Sequence, residues 1–277
     1  SMRALLDITM AFTVQHGEQI RQLRAQAKAA GRTQAEWPIH WAMNEEQPST
    51  FPFKGYAARY TPSILGDYQR LSYDRSQPWE RDIAYYNRFD ADVTVAAPKA
   101  YVVPQAWREV IERLRWNGVD MSRITAEQTV TARYYHINSV GTRATAYEGH
   151  MFHDTVELEA RTGEFTLQAG DYVVSLDQDN ARYAVETLEP QAHDSFFRWG
   201  FFNSVLEKKE AFSDYVFEDM ASELLRDEPA LAAKFADWKA ANPALLSNQE
   251  AVLDFIFEHC QRFAEPEWRR YPVIALM

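Results

Sequence analysis

Ala100-Tyr101-Val102-Val103-Pro104-Gln105-Ala106-Trp107-Arg108-Glu109-Val110-Ile111-Glu112-Arg113-Leu114-Arg115-Trp116-Asn117-Gly118-Val119 is the stretch that decides the fold class. Ala100 to Val103 is a short apolar run suited to a buried strand. Pro104 stands near the start of a helix, where its missing N–H costs nothing. Trp107, Val110, Ile111 and Leu114 then recur at i, i+3, i+4 and i+7, which places them on one helical face. Asn117-Gly118 stops the helix, and Val119 to Ile124 reads as a second strand. Strand, helix and strand with so tight an exit predict a βαβ unit, with parallel pairing and a right-handed crossover.

Downstream, Thr129 to Ile137, Thr155 to Ala160, Glu164 to Gln168 and Asp171 to Leu176 read as further strands, punctuated by Gly141, Gly149, Gly163 and Gly170. The chain then turns helical. Asp194 or Ser195 can cap a helix carrying Phe196, Phe197, Trp199, Phe201, Phe202, Val205 and Leu206, apolar on so many sides that it should be buried. Ser213 can start another, with Val216, Phe217, Met220 and Leu224 on one face. Pro229 suits the first turn of a third, which Asn242-Pro243 ends. Ser247-Asn248-Gln249-Glu250 fits a capping box ahead of Leu253, Ile256, Phe257, Cys260 and Phe263. Arg269 to Val273 reads as extended.

Upstream of Pro98 the pattern is weaker. Arg3-Ala4-Leu5-Leu6 reads as the start of a buried strand, and Ser1-Met2 as a remnant of expression. A polar helix follows from about Glu18 to Ala30, ended by Gly31. Beyond it, Pro38, Pro48, Pro52, Pro62 and Pro78 are too closely spaced for long helices. Aromatic residues fill the gaps, and the reading is irregular extended chain packed on something else, since soluble monomers avoid exposing such groups.

The expected fold is therefore α+β: a small mixed sheet with a βαβ unit, then a C-terminal helical bundle. The expected division is 1–97, a wrapping segment, and 98–277, with 98–188 as sheet and 189–277 as helices.

A net charge of −11 over 277 residues argues against nucleic acid, whose phosphates need clustered Lys and Arg. From Val205 to Arg270 there are 14 acidic against 8 basic residues, a net of −6. Solvated helix faces are the ordinary reading, and an acidic docking surface the functional one. No apolar run approaches the ~20 residues of a bilayer span, and no signal-peptide pattern is visible. Cys260, the single cysteine, excludes an intrachain disulfide, which suits a reducing compartment or a periplasmic protein without disulfides. It reads as a core or edge residue rather than a catalytic thiol.

The seven histidines are His16, His40, His136, His150, His153, His193 and His259. None is followed by Glu three residues on, and no His-Glu-x-x-His, phosphate loop, Gly-x-Ser-x-Gly or Cys-x-x-Cys is present. Catalytic zinc needs three converging protein ligands. The one candidate cluster is Glu148, His150, His153 and Asp154. If Gly149 makes a turn into a strand, i and i+3 fall on opposite faces, so a structural role is the expectation. The aromatic stretch from Phe51 to Phe89 reads first as packing, and second as a carbohydrate- or peptide-binding platform.

Several strings together carry a resemblance: Phe53-Lys-Gly-Tyr56, Tyr101 to Leu114 with Asn117-Gly-Val119, Tyr147-Glu-Gly-His150, Glu186-Thr-Leu-Glu-Pro190, Asp194 to Asn203, Lys209-Glu210 and Arg270-Tyr-Pro-Val273. In that order they resemble the C-terminal half of large bacterial zinc carboxypeptidases of the carboxypeptidase A-like family, over roughly four-fifths of the chain. The resemblance implies zinc held by a His-x-x-Glu pair and a distant His, an Arg for the substrate carboxylate, and a Glu as general base. The ligands and the Arg would lie upstream of Ser1. Leu5 to Met10 looks like the strand that carries the base, yet Ile8 stands at its place and Asp7 one residue away. Either the alignment slips there or the base is missing, so no catalytic residue and no metal ligand carries over.

The resemblance makes 1–97 the tail of a carboxypeptidase-like domain with its wrapping segment and 98–277 an α+β accessory region. The expected function is a non-catalytic accessory region that supports or restricts a peptidase domain encoded upstream, with zinc in that domain only. The expected partners are that domain and a peptide substrate, and neither nucleic acid nor membrane. A secreted or periplasmic parent is compatible with this. The alternative is a free-standing ligand- or protein-binding module using the aromatic segment or the acidic helices. A weaker third reading is an independent hydrolase built on Glu148, His150, His153 and Asp154.

Overall fold

The computed structural model describes residues 2–207, 212–263 and 267–277. The fold is α+β, as the pattern predicts. Contacts divide the chain into two units: Ser1–Thr33 with Pro98–Met277, and Gln34–Ala97.

The larger unit is built on a six-stranded sheet. Its strands are β5 (Ala100–Val103), β6 (Ser122–Arg123), β7 (Gln128–Thr142), β8 (His153–Leu167), β9 (Tyr172–Ser175) and β10 (Ile274–Leu276), in the order β6-β9-β5-β10-β7-β8. All four residues of β5 are buried, so the apolar run is covered on both faces. Helix α2 (Arg108–Trp116) follows with Val110, Ile111 and Leu114 buried. Each such side chain stabilises the fold by about 1.5–3 kcal/mol.

The expected parallel pairing is not formed. β5 and β6 both pair antiparallel with β9, which lies between them. They run in one direction without touching, and every described pairing of this sheet is antiparallel. The local pattern set strand, helix and strand. The strand that returned to the slot between them comes from some fifty residues later, which no local pattern encodes. Two expected strands, Thr155 to Ala160 and Glu164 to Gln168, are one strand running through Gly163, whose missing Cβ leaves room for the Tyr134 ring. The C-terminal β10 enters the middle of the sheet beside β5.

Helix α3 (Ala181–Leu188) buries Ala181, Ala184, Val185 and Leu188. The helix expected from Asp194 is absent: 194–202 is a series of turns, and only Asn203–Val205 makes a 3-10 turn. The burial expectation holds for Phe196, Phe197 and Phe202. Gly200 at φ +81° breaks the helical path. A run apolar on every side has burial written into it but no helical period.

Helices α4 (Asp214–Asp227), α5 (Pro229–Ala241) and α6 (Gln249–His259) form the bundle, around Phe217, Leu224, Leu231, Leu253, Ile256 and Phe257. Pro229 occupies the first turn of α5, as expected. The cap of α6 is Asn248 rather than Ser247; its Oδ1 accepts from the Ala251 N–H at 3.2 Å. Cys260 is buried in this core, and Lys209-Glu210 lie outside the described residues.

Helix α1 (Met2–Gly31) replaces the strand expected at Arg3 to Leu6. Three apolar residues in a row do not distinguish strand from helix, and here length decides. Because Leu5 to Met10 is helical, the one-residue offset between Asp7 and Ile8 does not turn a side chain to the far face of a strand. That sequence argument about the general base falls. No described helix is long and apolar enough to cross a membrane.

The smaller unit holds two antiparallel ribbons where irregular chain was expected. One pairs β1 (Glu36–Met43) with β4 (Phe89–Ala96), and the other β2 (Ser49–Pro62) with β3 (Gln69–Tyr85). Pro52, Pro62 and Pro78 are tolerated because each strand of a two-stranded ribbon keeps one unpaired edge.

Candidate functional site

The buried polar centre of the larger unit is Glu189, just beyond the end of α3 and only 1% exposed. The Tyr101 hydroxyl on β5 donates to its Oε1 at 2.7 Å, and Arg133 Nη2 on β7 donates to the same oxygen at 3.3 Å. Tyr135 hydrogen-bonds it as well. Burial pushes the Glu189 carboxyl up, against the opposing pull of Tyr101, Tyr135 and Arg133. Burial, reinforced by Glu189, likewise raises the Tyr101 phenol well above its usual range. Beside them the Tyr271 hydroxyl donates to the Leu188 carbonyl at 2.8 Å. The centre thus ties β5, β7, α3 and the C-terminal tail together. Sequence reading recorded Glu186 to Pro190 only as a string of the resemblance. A buried Glu has no local signature when its partners lie 56 and 88 positions away.

The candidate cluster is dispersed. Tyr147 and His150 exchange N–H···O bonds at 2.9 Å around Glu148 and Gly149, whose φ values of 51° and 80° are those of a type I′ turn. Glu148 is exposed at the turn tip. The His150 ring lies against Trp199 and Phe201. His153 is buried, with Nδ1 at 2.7 Å from Thr142 Oγ1 and Nε2 at 2.8 Å from Asn203 Oδ1. Asp154 faces the other way and pairs with Arg143 at 2.9 Å. His150 lies in the turn ahead of β8, which starts at His153, so the alternation expected for positions i and i+3 of a strand does not apply to this pair.

The resemblance implies zinc, and the described residues offer it no fit. Both His153 nitrogens are engaged, and no group of three or more His, Cys, Asp or Glu is placed to hold a metal among the described residues.

Most rings of the aromatic stretch are exposed, and Trp79 is half-buried. On one face of the β2–β3 ribbon, Phe51 stacks near Tyr85 and Phe53 near Trp79, each with ring centres 5.5 Å apart. The Arg81 guanidinium covers Trp79 at 4.2 Å. Trp79 lies across Gly55, where an added Cβ would fall 2.7 Å from the ring. A cleft of about 370 Å³ opens here between Lys54, Tyr56, Pro78, Trp79 and Glu80. In the larger unit, a cavity of about 350 Å³ is walled by Pro104, Trp107, Glu267, Trp268, Arg270 and Pro272.

Comparison with known proteins places part of this chain beside fungal carboxypeptidases. Carboxypeptidase 2 of Trichophyton tonsurans is 31% identical over 119 residues, which is 43% of this chain and 22% of that protein. Carboxypeptidase 2 of Trichophyton rubrum is 31% identical over 108 residues, 39% of this chain and 20% of that protein. The probable carboxypeptidase 2 of Arthroderma benhamiae is 28% identical over 113 residues, 41% and 21% respectively. These relatives are fungal, so they lend no support to the bacterial part of the resemblance. No protein-family profile and no solved structure matches the chain. The match spans about a fifth of the length of these relatives, and it shows a region of this chain similar to part of proteins named carboxypeptidase 2.

Proposed function

We propose that this chain is a non-catalytic accessory region of a zinc-carboxypeptidase-like protein, one that supports or restricts a peptidase domain encoded upstream. The observation that carries the reading is the match itself: about two-fifths of this chain against about a fifth of proteins named carboxypeptidase 2. The engaged His153 and the sealed Glu189 centre support it, because both polar groups hold structure rather than face solvent.

The test compares this chain with the longer protein on short peptides with free C-termini. The reading expects an upstream frame encoding a His-x-x-Glu pair, release of C-terminal amino acids by the longer protein, and none by this chain. A frame without that pair, or turnover by the isolated chain, overturns it.

The exposed rings of the β2–β3 ribbon favour a second reading, a ligand-binding module. Under it, Trp79→Ala abolishes retention on an immobilised glycan or peptide array. An array with no binder for the unsubstituted chain removes this reading.

A further inference from the structure

The first half of α1 carries apolar residues on every side, with the charged Arg3 and Asp7 among them. Leu5, Leu6, Ile8, Met10, Phe12 and Val14 are exposed, from 55% for Leu6 to 85% for Val14. At ~100° per residue these six spread around the helix, and the widest gap, of ~120°, holds Ala4, Ala11 and Asp7. A helix of this pattern belongs inside a core rather than on a surface.

Its two hydroxyls are already provided for, while Arg3 and Asp7 would need further partners from whatever covers them. Thr9 Oγ1 donates to the Leu5 carbonyl and Thr13 Oγ1 to the Thr9 carbonyl, each at 2.8 Å. Arg3 and Asp7 pair along the helix at 3.9 Å. Enclosing the stretch would leave neither hydroxyl without a partner.

The second half is different. From Glu18 on it is polar, and Lys28 and the adjoining Arg32 pair with Asp177 and Asp179 of the same unit, at 2.8–3.3 Å. One half of α1 is tied down, and the other projects about 20 Å of apolar helix.

We propose that Met2 to Val14 is an interior helix of a neighbouring domain in the parent protein, enclosed on all sides by it, while the second half of α1 stays with this unit. The proposal rests on the reading of the chain as a region of a larger carboxypeptidase-like protein. Two features point to that occupant. A second copy of α1 would cover one side of the helix and leave the other wet. The relatives extend far beyond the matched fifth of their length, so they contain the mass of chain that an enclosing core requires.

Hydrogen exchange by mass spectrometry on this chain and on the longer protein tests the idea. Exchange at 2–14 should slow at least 100-fold in the longer protein, with α6 unchanged. Ile8→Asp should leave the melting temperature of this chain unchanged and prevent recovery of folded longer protein. Unprotected 2–14 beside a folded, active peptidase domain overturns the proposal alone. An upstream frame with no such domain overturns the underlying reading first. Concentration-dependent protection in this chain, with a dimer in sedimentation, overturns it in favour of a second copy.

Discussion

The Tyr101 hydroxyl donates to Glu189 Oε1 at 2.7 Å across 88 positions of sequence. Both side chains are almost wholly buried. A carboxylate in that position is costly unless every donor around it is kept. Tyr101→Phe removes one donor and little volume. It should destabilise the fold by about 1–3 kcal/mol, read as a lower urea midpoint with an unchanged slope.

His153, at the start of β8, links the end of β7 at Thr142 to the 3-10 turn at Asn203. His153→Ala should cost about 1–3 kcal/mol by leaving both partners without their bond. Elemental analysis should find the same zinc content in both proteins. Loss of stoichiometric zinc from the variant, with stability retained, would instead mark His153 as a ligand.

His136 on β7 gives a pH dependence. Burial, with the Arg161 and Arg269 charges, lowers its pKa, and Glu159 opposes them. The folded chain prefers the neutral ring, so on acidification the unfolded chain takes up the proton first. This contribution is full above the unfolded value of about 6.5 and is lost as pH falls through the lower folded value. His136→Gln should flatten the fall in urea midpoint between about pH 7 and 5. Parallel profiles for the two proteins would count against it.

Gly170 turns the chain between β8 and β9 at φ +103°. An added Cβ would meet the Gln105 side chain at 2.6 Å. The amide end of Gln105 can move, but the backbone cannot avoid the left-handed region. Gly170→Ala should therefore cost about 1–3 kcal/mol, measured by thermal unfolding.

In the bundle, Leu253→Ala should cost about 2–5 kcal/mol, since Leu253 is 1% exposed among Phe217, Ile256 and Phe257. Calorimetry would show whether that loss falls on the same transition as Tyr101→Phe.

Sequence reading succeeded where the signal is local. The i, i+3, i+4, i+7 stripe gave α2, Pro229 gave the start of α5, and the apolar spacing of Leu253, Ile256 and Phe257 gave α6. It failed where local patterns are ambiguous. The short apolar run at Leu5 suited a strand as well as a helix, and Phe196 to Phe202 had no period to read. The ribbons of 36–96 were hidden by prolines that are harmless on open edges.

The sequence by itself determined the α+β class, the α2 stripe and the three C-terminal helices. These depend on neighbours within a few residues. The tertiary structure alone decided that β9 separates β5 from β6, that β10 enters the sheet beside β5, and that Glu189 is sealed beneath Tyr101 and Arg133. Each of those joins parts of the chain tens of positions apart, where strand pairing and burial are settled by which surfaces meet and not by local spacing.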